Sequence, residues 1–276
     1  MTPGIFESVF SRSTLTGTFQ AVAEAGFGSV QFDFGSARLD PWAGPMRHEA
    51  VARVRIDADA AQVRIPAMSG TFNMAHTNAE IRQCGLAGLE RVASQAAPLG
   101  ASFVTLCTGT RDPSSMWRWH PGNATDAAWA DMIETVAGAV EIAERHDVVL
   151  VVEPEPANVV SSSKKARELL DQLPSERLKI VLDPANVVLS DRSRSPDVVL
   201  DEAFALLGSD IVFAHAKDLS SDGEFGAAGT GIVPWERYWR LLDEIGYTGD
   251  LMFHTLTEAD VPRALALMPS GWSDRV

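Results

Sequence analysis

The chain has 276 residues, 46% of them hydrophobic, with 23 basic and 37 acidic side chains and a formal net charge of −14. That length and apolar content can bury one large core, but no unbroken apolar run reaches the ~18 residues a membrane helix needs. The acidic balance argues against nucleic acid, whose binders cluster Lys and Arg, and favours a small neutral partner or one held through a cation.

The segment Met1-Thr2-Pro3-Gly4 carries neither the basic region nor the apolar core of an export signal. The two cysteines, Cys84 and Cys107, form no C-x-x-C pair and suit a reducing compartment. The expectation is a cytoplasmic protein. No linker or low-complexity tract interrupts the chain, so residues 1–276 read as one domain.

In chain order, strand and helix patterns alternate about every 30–35 residues, which predicts an α/β fold, a (β/α)₈ TIM barrel. The first strand is expected over Gly4–Val9 and the first helix over Thr14–Ala25, with Leu15, Phe19 and Val22 on one face and Gly26 as its stop. Ser29–Phe34 reads as the second strand and Met46–Ala61 as the second helix. Arg64–Gly70 is the third strand. Behind it, Thr77 and Glu80 are spaced as a capping box for the third helix. Ala101–Leu106 is the fourth strand, followed by the longest loop, Cys107–Thr125, with Trp117, Trp119 and His120. A loop of that length reads as a pocket wall or lid. The fourth helix carries Trp129, Ile133, Val136 and Val140 on one stripe.

The run Val148–Val152 has the continuous apolar character of a strand buried on both faces, and it ends in Glu153-Pro154. A helix entered at Ser161–Ser163 follows. Leu178–Leu182 runs into Asp183, and the next helix opens Ser195-Pro196-Asp197. Ile211–Ala214 runs into His215. Beyond a glycine-rich loop, Trp235, Tyr238, Trp239, Leu242 and Ile245 repeat at helical spacing as core. Leu251–Phe253 runs into His254, Pro262–Met268 closes the ring, and the tail Pro269–Val276 reads as frayed.

Active sites of such barrels lie at the carboxyl ends of the strands. Glu153, Asp183, His215 and His254 all fall there, so two carboxylates and two imidazoles converge on one side of the mouth. Unpaired, two buried carboxylates repel each other, and a divalent cation removes that conflict. Mixed oxygen and nitrogen ligation suits Mn²⁺, Zn²⁺, Fe²⁺ or Co²⁺ better than Ca²⁺. Each residue also has a plainer reading. Asp183 could serve only a turn, Lys217 could pair with Asp218, and His254 could hydrogen-bond without touching metal.

The chain resembles the xylose isomerase-like barrels, the sugar phosphate isomerase/epimerase family. The resemblance is carried by Glu153-Pro154 with Asn158, Leu182-Asp183 with Asn186, His215-Ala216-Lys217-Asp218, and Gly229-Thr230-Gly231. It implies that Glu153, Asp183 and His215 bind a divalent metal, Mn²⁺ foremost with Mg²⁺ also in range. The family's epimerases place a glutamate at the tip of the last strand, where this chain has His254.

The expected chemistry is proton transfer beside a carbonyl, in a metal-dependent isomerase or epimerase acting on a sugar or polyol through an enediolate. Glu153 or His254 would move the carbon-bound proton, and Lys217 or His120 would steady oxygens or return it. Trp117 and Trp119 would offer faces to a sugar ring, with His76 and Asn186 also at the substrate. Two alternatives stand beside this: a sugar or inosose dehydratase using the same groups, and a carbohydrate-binding barrel or enzyme subunit without catalysis. An abasic-site endonuclease is disfavoured by the acidic surface and by too few histidines. The partner expected is a small carbohydrate, without nucleic acid or membrane, and a homo-oligomer is left open.

Overall fold

Short β-branched and apolar runs cannot hide both faces alone, so they pair edge to edge and take cover under amphipathic helices. In the computed structural model, which describes residues 1–269, eight such runs close into a ring. The strands up to the middle of the chain are β1 (Thr2–Phe6), β2 (Ser29–Phe32), β3 (Arg64–Ser69), β4 (Phe103–Leu106) and β5 (Val149–Val152). β6 (Leu178–Leu182) and β7 (Ile211–Ala216) continue the ring. A two-stranded hairpin, β8 (Asp218–Leu219) with β9 (Phe225–Gly226), stands outside it, and β10 (Asp250–Phe253) closes it. All eight barrel pairings are parallel, the last pairing Thr2 with Asp250 and Ile5 with Phe253. The expected frayed tail lies outside the described residues, apart from Pro269.

The helices are α1 (Leu15–Glu24), α2 (His48–Ala60), α3 (Ala79–Ala93), α4 (Ala96–Leu99), α5 (Asp126–His146), α6 (Ser163–Gln172), α7 (Pro184–Ser190), α8 (Pro196–Leu207), α9 (Trp235–Glu244) and α10 (Val261–Ala266). Among the described residues, no helix is long and apolar enough to cross a membrane. Phe19 and Val22 are buried as expected, and Gly26 leaves α1 with φ +94°. On α5 the buried face is Met132, Val136, Ala139 and Ala143, which leaves Trp129, Ile133 and Val140 as half-buried flanks. Tyr238 of α9 is fully buried, and its hydroxyl lies 3.2 Å from the Leu182 carbonyl and 3.1 Å from that of His215. It donates to one of them at a time, tying β6 to β7 beneath the mouth.

Three local readings are corrected. The cap of α3 is Asn78 rather than Thr77, because the short Asn78 amide oxygen reaches the Glu80 N–H directly at 2.8 Å. β7 does not stop at Ala214 but runs through His215 to Ala216. A helix that periodicity did not reveal, α7, starts at Pro184, with the Asp183 carboxylate capping it.

Side chains on a strand alternate between faces, and that places the mouth. Ala67, Val151, Val181, Phe213 and Met252 form a fully buried layer inside the ring. A side chain at Gly4 would come within 2.5 Å of the Met252 sulfur, so β1 can reach this layer only with glycine there. Two residues further along each strand, the next inward positions are Ser69, Glu153, Asp183, His215 and His254. The site is the layer directly above the core.

Candidate metal centre

Glu153, Asp183, His215 and His254 each present one ligand atom, and the four atoms lie within 4.8 Å of one another. Asp183 divides its two oxygens. Oδ1 accepts from the backbone N–H groups of Ala185 and Asn186 at 2.9 and 3.2 Å, while Oδ2 faces the cluster, 2.9 Å from His254 Nε2 and 3.7 Å from the Lys217 ammonium. Its cap role and its place in the cluster are therefore compatible. Asn186 donates from Nδ2 to Glu153 Oε1 at 2.7 Å.

His215 is oriented from the far side of the ring. Its Nε2 lies 2.9 Å from Gln31 Oε1, and the Gln31 amide nitrogen donates to Ser69 Oγ (3.2 Å) and Thr105 Oγ1 (3.0 Å). With the Gln31 oxygen turned toward it, Nε2 carries the hydrogen and Nδ1 keeps its lone pair. That Nδ1 is buried without a hydrogen-bond partner among the described residues, 3.5 Å from Glu153 Oε2 and 4.0 Å from Asp183 Oδ2. An imidazole lone pair aimed at two carboxylate oxygens leaves three acceptors facing one another. A divalent cation satisfies all three, so the residues present fit one.

The electrostatics are those of a dry, strongly coupled cluster. Burial pushes the Glu153 carboxyl up, but the adjoining His215 ring and the Lys217 ammonium outweigh this and hold it below its usual range. Asp183 is likewise held down against burial by Lys217 and His254. Burial would lower Lys217, yet Asp183, Glu153 and Glu155 keep it above the ordinary lysine value. Burial lowers His254 despite its bond to Asp183. Lys217 also sits 3.9 Å from the centre of the Phe225 ring.

Above the cluster opens a cavity of about 920 Å³ whose walls include Glu153, Glu155, Lys217, His254 and Trp117. Glu155 was not singled out from the sequence. Burial raises its carboxyl to about 7, against the pull of Lys217. The signal was there: Pro154 and Pro156 keep the run extended, so residues 153 and 155 fall on the same side. Gln31 was missed as well, since an isolated glutamine in a strand carries no spacing cue.

Of the other residues expected at the substrate, Trp119, His120, His76 and Asn186 do not line this cavity. His76 accepts the Asn78 N–H at 3.0 Å and His120 accepts the Gly122 N–H at 3.0 Å, so both serve as local turn acceptors. Trp119 is 60% exposed on the rim. Lys217 does not depend on Asp218. That carboxylate instead takes N–H groups from Leu219, Gly229, Val233 and the Trp235 indole, which explains the Gly229-Thr230-Gly231 turn. Asn158 binds the Gly109 N–H (2.6 Å) and the Met116 carbonyl (3.1 Å), holding the β4 loop over the mouth.

The family model described as xylose isomerase-like TIM barrel matches residues 19–269. No curated protein matches the sequence. Among solved structures the chain is similar to the 3-keto-D-glucoside 4-epimerase YcjR from E. coli, at 15% identity over 96% of this chain and 98% of that one, TM-score 0.76. It is similar to a D-tagatose 3-epimerase-like protein at 18% identity over 97% and 95%, TM-score 0.77. A probable 3-DHS dehydratase from Bacillus anthracis, AsbF, shares 14% identity over 97% and 98%, TM-score 0.74. At these identities the likeness establishes a common fold.

Proposed function

The chain belongs to the xylose isomerase-like TIM-barrel family, and from that premise we propose that it is a divalent-metal-dependent isomerase or epimerase of a sugar or polyol. The observation that carries this is the His215 Nδ1 lone pair, buried and unpartnered among the described residues, facing Glu153 and Asp183. Glu153, Asp183, His215 and His254 would hold the cation, with Mn²⁺ first in line and Zn²⁺, Mg²⁺, Co²⁺ and Fe²⁺ as alternatives. When bound, the cation would supply Lewis-acid stabilisation to a substrate carbonyl.

The chain's own groups account for the proton movements. Glu153, kept ionised, takes the proton from the carbon beside the carbonyl. His254, kept largely neutral by burial, can receive or return a proton from the last strand when its lone pair is not given to the cation. Lys217 steadies a substrate oxygen. Two unlike groups replace the paired glutamates of the family's epimerases, so the two directions of transfer need not be equivalent.

One observation favours a second reading, a dehydratase. Glu155 holds its proton up to about pH 7 in the same cavity, and a proton-bearing carboxyl there can assist departure of a hydroxyl.

The test is purified protein in D₂O with added Mn²⁺ and a panel of ketoses and inososes. Deuterium at the carbon next to the carbonyl with water retained supports isomerisation or epimerisation, and loss of water supports the dehydratase. Glu153→Gln should lower either rate by roughly 10²–10⁴. Sugar binding with no deuterium uptake would favour the non-catalytic barrel, and failure to bind Mn²⁺ stoichiometrically would overturn the metal-dependent reading.

A further inference from the structure

The cavity is not uniform, and its two ends call for different chemistry. Its 920 Å³ sits near the top of the ~300–1,000 Å³ range of small-molecule pockets, far more than one sugar ring fills. The acidic end, with Glu153, Glu155, Lys217 and His254, is built from β5, β7 and β10. The other wall is Phe34, Leu39, Pro41 and Trp42, from the segment after β2, joined by Met116 and Trp117 of the β4 loop. In the ring, β2 and β6 are opposite each other, with β3, β4 and β5 between them on one side and β1, β10 and β7 on the other. The apolar wall therefore faces the cluster across the mouth.

Both indoles are presented open, on backbones that are anchored by hydrogen bonds. Trp42 is 40% exposed and Trp117 57% exposed although both line the cavity. The Trp42 N–H is fixed to Asp40 Oδ1 at 2.9 Å, and its ring lies 5.9 Å from that of Phe72. On α3, a Cβ at Gly88 would come 1.8 Å from the Trp42 ring, so the indole is seated where only glycine leaves room. Trp117 follows Met116, whose carbonyl is gripped by the buried Asn158, and its own N–H reaches Ser115 Oγ at 3.3 Å. Open aromatic faces on anchored backbones stack flat ligand groups at little cost in ordering.

Charge narrows the ligand further. Asp33, Asp40, Glu153 and Glu155 line the cavity against one ammonium, Lys217, which already faces Asp183 at 3.7 Å. With a divalent cation at the centre, these acids together with Asp183 still outnumber the positive charges, and a phosphorylated sugar would bring a dianion into that field.

We propose that the site takes neutral glycosides that carry a carbonyl on the sugar ring, whose apolar, aromatic aglycone stacks on Trp42 and Trp117 while the ring occupies the acidic end. The sugar end of this assignment rests on the isomerase or epimerase reading; the aglycone end does not. The test is calorimetric titration, with Mn²⁺ present, of the wild type, Trp42→Ala and Trp117→Ala. The probes are 4-nitrophenyl and methyl glycosides of the same sugars (glucose, galactose and mannose), together with glucose 6-phosphate. The glycosides lack the carbonyl, so binding rather than turnover is read. The 4-nitrophenyl member of at least one pair should bind about tenfold tighter than its methyl partner. That preference should shrink to about threefold or less in either variant, with an unchanged far-ultraviolet dichroism spectrum, and glucose 6-phosphate should not bind. Equal affinities, binding of neither glycoside, a preference that survives both substitutions, or tighter binding of the phosphate would each overturn it. Mn²⁺ stoichiometry on the same samples separates the two failures: Mn²⁺ bound without an aryl preference removes only the aglycone subsite, and no Mn²⁺ with no glycoside bound removes both readings.

Discussion

On β5, β6, β7 and β10, the position above the innermost core layer holds Glu153, Asp183, His215 and His254. At the same level on β2, β3 and β4 stand Gln31, Ser69 and Thr105, joined to one another by hydrogen bonds. The first half carries groups that change protonation or bind cations. The second carries neutral groups that aim one of them, through the contact of Gln31 with His215. The contrast is between a half whose side chains can titrate or ligate and a half whose side chains can only orient them. Removing a group from each half should therefore have different signatures.

The sharpest break would come from Asp183→Asn. Asn also caps helices well, so α7 should persist and the melting temperature change little. Mn²⁺ affinity should nevertheless fall by more than ~100-fold, beyond the range for a group one step removed from the ion. Calorimetric Mn²⁺ titration reads this, and unaltered affinity would remove Asp183 from the centre.

Gln31→Leu probes the orienting half. It frees the His215 ring, and Mn²⁺ affinity should drop ~10–100-fold with the fold intact. Retained affinity would show that packing against Phe6 and Phe213 suffices to hold the ring.

β1, which stands between the two halves, leads into a hidden carboxyl. Glu7, at the end of β1, is 1% exposed and accepts the Asp33 N–H, and burial raises it from 4.5 to about 7. Between those values the unfolded chain releases this proton while the folded chain still holds it. Stability is thus fully present below about pH 4.5 and is lost as pH rises through 7. The loss should be on the order of 3 kcal/mol. Urea unfolding of Glu7→Gln at pH 5 and pH 8 should show that slope reduced, and an unchanged slope would sink the assignment.

The smallest effect belongs to Trp119→Ala. An exposed rim residue outside the cavity should change stability by no more than ~0.5 kcal/mol and turnover by less than about twofold.

The barrel was legible because its strands are short apolar runs of regular spacing, and because Phe19 and Val22, and Trp235 with Tyr238, keep helical period. The acid and imidazole tips were legible because such side chains have no packing role at the end of a buried strand. Gln31, Ser69 and Thr105 were not, since amides and hydroxyls occur anywhere in a half-polar strand. Their meaning depends on neighbours 38 and 74 residues away in sequence. α7 escaped because its pattern, Pro184–Ser190, is too short to show a period. His76 and His120 lie off the cavity and each accepts a turn N–H, a local contact that the sequence around a loop histidine does not reveal.

Asp183 has one oxygen anchored to the first turn of α7 and the other turned toward His254 and the rest of the cluster. Its rotamer is thereby chosen while the chain folds, before any guest arrives. The entropy of aligning that carboxylate is lost at synthesis rather than at each encounter, so whatever the mouth captures meets a lone pair already pointing at it.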